Sequence, residues 1–84
     1  MLSNQNYTIA SPRIGQRIFT FENGYGASVI QSRDFLTLAP TGQYEVAVLD
    51  ASGEITYDTP VTDNVIAYLD DSGVYEVLER IQSL

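Results

Sequence analysis

Tyr44-Glu-Val-Ala-Val-Leu-Asp-Ala-Ser-Gly-Glu-Ile-Thr-Tyr-Asp-Thr-Pro-Val-Thr-Asp63 decides the fold. Tyr44 to Leu49 is a β-branched and aromatic run in which Tyr44, Val46 and Val48 share one face and Glu45, Ala47 and Leu49 the other. Asp50-Ala-Ser-Gly53 follows as a turn, with Gly53 where a positive φ is needed. Glu54 to Tyr57 reads as the returning strand, and Asp58-Thr59-Pro60 ends it. Thr62 is then placed as the N-cap of a short helix over Asp63 to Leu69, whose Val65, Ile66 and Leu69 give one apolar side.

Upstream, Arg17 to Glu22 and Tyr25 to Gln31 both alternate, and Asn23-Gly24 between them is a strong hairpin signal of the type I′ kind. Gly26 inside the second strand marks a bulge or a close approach, such as a ring crossing above it. Residues 32–42 form a loop with an apolar centre. Phe35, Leu36 and Leu38 need burial or a partner, and packing against the domain is the expected outcome. Residues 1–16 read as an arm in which Tyr7-Thr8-Ile9 adds at most a short edge strand, because Pro12 and Gly15 interrupt anything longer.

Downstream, Asp70 or Ser72 caps a second helix reaching about Gln82. Val74, Val77, Leu78 and Ile81 form a stripe at helical spacing, and Glu76 and Arg80 are placed for an i,i+4 pair. The expected architecture is α+β: a four-stranded antiparallel sheet of two consecutive hairpins, packed by two C-terminal helices. Residues 17–84 form the single domain behind the 1–16 arm.

Composition narrows the chemistry. The 84 residues contain no His and no Cys, which removes the usual general base, the thiolate nucleophile and the commonest metal ligand. No enzyme activity and no cofactor are expected. Eleven carboxylates against four arginines give a net charge of −7, and from Asp34 to Glu79 ten acids meet no base. Such a field repels phosphate backbones, so no direct nucleic-acid partner is expected, while a basic protein is attracted. The same charge also serves plain solubility. No window is apolar enough to span a bilayer and no signal sequence is apparent, so no membrane partner is expected.

Two groups of residues stand out as a candidate interaction surface: Glu54, Tyr57 and Asp58 in the quoted stretch, and Phe35, Leu36 and Leu38 in the apolar loop. For Asp58, Thr59 and Pro60 turn chemistry is the favoured explanation, with Asp58 and Thr59 bonding backbone groups and Pro60 setting the corner. Asp50, Glu54, Asp58 and Asp63 cluster as oxygen donors, but their spacing fits no EF-hand loop, and turn and capping roles account for Asp50 and Asp63. No metal site is expected. Gly24-Tyr25-Gly26 lies within a hairpin and leads into no helix, so it is not a phosphate loop.

Phe19-Thr-Phe-Glu-Asn-Gly-Tyr-Gly-Ala-Ser-Val-Ile30 and the Ala47 to Leu69 stretch with its Thr-Tyr-Asp-Thr-Pro block resemble a family of small uncharacterised proteins of tailed bacteriophages. The resemblance covers about residues 17–84. It implies expression in the cytoplasm of an infected bacterium and brings no catalytic residues. This chain departs from the family pattern in the Ser32 to Gly42 loop, where relatives carry a Gly-rich aromatic segment, and at Gly73, where they carry an acid. The expected function is that of a non-enzymatic accessory protein binding a host or phage protein, acting as an acidic inhibitor. A minor virion or assembly component, which would include self-association into a homo-oligomer, and a small-ligand binder are the alternatives.

Overall fold

A computed structural model describes residues 7–84. Five strands, β1 (Tyr7–Arg13), β2 (Gln16–Phe21), β3 (Gly26–Arg33), β4 (Pro40–Leu49) and β5 (Ile66–Leu69), are followed by one helix, α1 (Asp71–Gln82). The strands form a single antiparallel meander in the order β1-β2-β3-β4-β5. The class is α+β with one helix on one face of the sheet, not four strands with two helices.

Register explains which face the helix covers. Cross-strand rows Ile9–Phe19–Ala27–Val48 and Arg17–Val29–Val46–Ile66 point to the same side, with Tyr7 beside Phe21 at one end and Tyr44 beside Leu69 at the other. Tyr7, Phe19 and Phe21 form a ring cluster with centroids 5.7 to 6.2 Å apart. Val74, Val77, Leu78 and Ile81 of α1 are buried on that face, as their spacing predicts. At about 1.5–3 kcal/mol for each fully buried side chain, this stripe holds the two layers together. Asp70 caps the helix, its carboxylate accepting from the Gly73 N–H at 2.8 Å.

Three local expectations fail for identifiable reasons. Residues 7–13, read as part of an arm, form a full edge strand. Pro12 is tolerated because an edge strand lacks a neighbour on one side, and the register shifts between Ala10 and Arg13. Residues 1–6 of the arm lie outside the described residues. The helix expected over Asp63 to Leu69 is absent, and Ile66–Leu69 is a strand paired to β4. Its four residues suit a β-rich run, and a register irregularity at Tyr68, φ 61°, lets Ile66 and Leu69 both face the helix. Thr62 caps no helix but closes a local turn, accepting from the Asn64 N–H and donating to the Asn64 carbonyl. The strand expected over Glu54 to Tyr57 shrinks to one bridge, Leu49 with Ile55, and a Thr56 N–H bond to the Val48 carbonyl.

The Asn23-Gly24 hairpin is present, with a different turn. Only Gly24 has positive φ, 92°, and the Phe21 N–H bonds the Tyr25 carbonyl at 2.9 Å, so a three-residue loop with a bulge joins the strands. Gly26 is close to backbone and not to a ring: a Cβ there would stand 2.5 Å from the Phe19 carbonyl oxygen. Arg80 does not depend on Glu76 for a partner. Its guanidinium donates to the carbonyls of Pro60 and Val61 at 3.4 and 3.3 Å, which fastens the β4–β5 connection onto the helix.

Candidate interaction surfaces

The six candidate residues do not come together. Phe35, Leu36 and Leu38 sit at the β3–β4 turn, before Pro40. Glu54, Tyr57 and Asp58 follow the other end of β4, where Thr56 is level with Val48. Eight residues of extended chain lie between those levels, roughly 25 Å.

At the acidic end, the Asp50 carboxylate is tied into its turn. It accepts from the Ser52 N–H, the Ser52 hydroxyl and the Glu54 N–H at 2.9, 2.7 and 3.0 Å. The Ser52 hydroxyl first and then the Glu54 N–H hold its pKa below the ordinary 3.8. Glu54 and Asp58 are exposed. Ile55 and Tyr57 between them are about half exposed, at 51% and 48%. Thr56 and Thr59 accept from the N–H groups of Asp58 and Val61, so the threonines build the corner while the aromatic and acidic side chains face outward. Among the described residues no three acidic side chains converge on a common point able to hold a metal ion.

At the opposite end, the apolar loop is not packed down as expected. Phe35, Leu36 and Leu38 are 86, 78 and 66% exposed. The reason is the short turn that presents them. β3 and β4 pair out to Arg33 and Pro40, leaving too few residues to fold back over the sheet. The Asp34 carboxylate accepts from the Leu36 and Thr37 N–H groups at 2.9 and 3.0 Å, and its backbone bonds Leu38 and Ala39. Those backbone donors, Thr37 first, hold the Asp34 carboxyl below its ordinary value. Leu38 has φ 59°, a conformation costly for a bulky side chain. Exposure of an apolar loop leaves no trace in periodicity, and the shortness of the turn is visible only once β3 and β4 are seen to pair out to Arg33 and Pro40.

A third feature lies beyond the reach of sequence reading. α1 leaves the β1–β2 side of its sheet face uncovered, and a cleft of about 370 Å³ opens there. Phe19, Val29 and Leu78 form its apolar floor, and Arg17, Gln31 and Asp71 bring polar groups to it. Among the described residues no helix is long and apolar enough to cross a membrane.

No family model matches the chain, and neither a curated protein nor a solved structure matches it. The fold defines it as a single-layer antiparallel meander backed by one helix.

Proposed function

We propose that this chain is a non-enzymatic accessory protein of a tailed bacteriophage that binds a basic host or phage protein in the infected bacterial cytoplasm through its acidic end. One observation carries the reading: Ile55 and Tyr57 stand half exposed between the exposed carboxylates of Glu54 and Asp58. Residues 50–63 include four carboxylates and no base. A ring that desolvates at the centre of a contact, with charges at its rim, is the composition that binding surfaces favour. The field of the remaining acids steers a cationic partner and rejects nucleic acid, so the chain acts by occupying a surface that would otherwise meet phosphate. Affinity capture from infected cells tests this. The wild-type chain should retain a basic protein that a Glu54→Lys/Asp58→Lys variant of equal thermal stability does not. Equal retention by both would refute the acidic end as the site.

A second reading, a small-ligand binder, draws its support from the cleft beneath α1, whose apolar floor and few polar groups have the make-up of ligand sites.

A further inference from the structure

We propose that the cleft between α1 and the β2–β3 part of the sheet takes a small zwitterion with an apolar body, about the size of a dipeptide. The proposal rests on the small-ligand reading of that cleft and names the class of ligand. The two walls differ in charge. Arg17 stands on β2, level with Val29 on the helix side of the sheet, and Asp71 opens α1 on the other wall. Asp71, Tyr75 and Leu78 follow one another at helical spacing, so one side of α1 lines the cleft with a carboxylate, a ring and an apolar foot. Arg17 and Asp71 are exposed, and among the described residues neither side chain is held by a hydrogen bond or an ion pair. A cation and an anion set apart over the apolar floor of Phe19 and Val29 match a molecule with a carboxylate, an ammonium and an apolar group.

Neighbouring charges leave this pattern intact. Register sets Arg13, Gln16, Ile30 and Glu45 in one row, and that row alternates with Val29 onto the opposite face of the sheet. The Asp70 carboxylate accepts from the Gly73 N–H and the Ser72 hydroxyl, and Arg33 Nη1 donates to the Leu38 carbonyl. Gln31 spends its amide N–H on the Thr41 carbonyl, which leaves Oε1 as a neutral acceptor at the cleft. A ligand of one sign would gain at Arg17 what it loses at Asp71, or the reverse, so only a molecule bearing both charges gains at both walls. Length follows from the same placement. A single amino acid carries both charges on one carbon, whereas two residues of extended chain separate them by up to about 7 Å. The cleft, of about 370 Å³, has the size of ligand sites in general.

Glycyl-L-phenylalanine is the probe, titrated into the full chain and followed by backbone amide shifts in NMR. Its N-acetyl form lacks the ammonium, its C-terminal amide lacks the carboxylate, and the doubly capped form lacks both. The free dipeptide should bind with shifts centred on Phe19, Val29 and Leu78, and each single cap should weaken binding about fivefold. Arg17→Gln should remove the preference for the free carboxylate alone, and Asp71→Asn the preference for the free ammonium alone. Both side chains are exposed, so thermal midpoints should stay close to wild type. Equal binding of all four compounds would overturn the zwitterion and leave the cleft as a site for apolar ligands. Binding of none would overturn both this proposal and the small-ligand reading beneath it. Variants that change both preferences together, or neither, would overturn the assignment of the two charges.

Discussion

Asn23 Nδ2 donates to the carbonyl of Ile81 at 2.9 Å, across 58 positions of sequence. It also reaches the carbonyls of Gln82 and Leu84 at 3.1 and 3.2 Å, while its Oδ1 accepts from the Tyr25 N–H. One side chain thus shapes the β2–β3 turn and closes the open C-terminal end of α1, whose last carbonyls have no partner within the helix. Asn23→Ala should cost about 1–2 kcal/mol in chemical denaturation. Asn23→Asp keeps the acceptor for Tyr25 but sets a negative charge against the carbonyl end of the helix, and should also destabilise. A neutral Asn23→Asp would mean that only the turn matters.

Gly26→Ala should cost about 2 kcal/mol or more, because the added methyl would lie 2.5 Å from the backbone carbonyl of Phe19 and neither strand can retreat without losing its ladder. Thermal melting of this single variant checks the β2–β3 register. An unchanged midpoint would contradict it.

Leu38→Gly should leave stability unchanged or raise it by up to about 1 kcal/mol, since glycine accepts the φ of 59° that costs leucine. Lost stability would show that Leu38 contributes packing despite its exposure.

Acid should loosen both turns. The carboxyls of Asp34 and Asp50 titrate below the ordinary 3.8 in the folded chain, so between the folded and unfolded values the unfolded chain binds more protons. Their contribution is complete above about pH 3.8 and is lost as pH falls through the folded values. Denaturation midpoints taken between pH 5 and 2 should fall in wild type and fall less in Asp34→Asn and Asp50→Asn, whose starting stability should be lower. Parallel curves for all three proteins would contradict the role of these carboxylates.

The sequence made the β2–β3 hairpin and the last helix legible because their signals are local: a turn pair in one case, four apolar residues at helical spacing in the other. β5 was not legible, since Val65, Ile66 and Leu69 fit a helical side as well as a strand, and pairing with β4 decided between them. β1 was hidden by Pro12 and by its largely exposed edge position, where little alternation is enforced. The capping by Asn23 depends wholly on tertiary placement. Of the candidate site, the residue types were legible and their grouping was not. Glu54, Tyr57 and Asp58 share one stretch with each other, but only the length of β4 shows how far they stand from Phe35, Leu36 and Leu38.

The most direct test of the basic-partner account is stopped-flow association of the captured protein with the wild-type chain and with the Glu54→Lys/Asp58→Lys variant, from low to high salt. Steering by the acidic end predicts a wild-type on-rate that falls steeply, on the order of tenfold or more, as added salt shortens the screening length. The variant should associate more slowly at low salt and converge on wild type at high salt, with dissociation little changed. An on-rate that is flat in salt, and equal in the two proteins, would contradict the account.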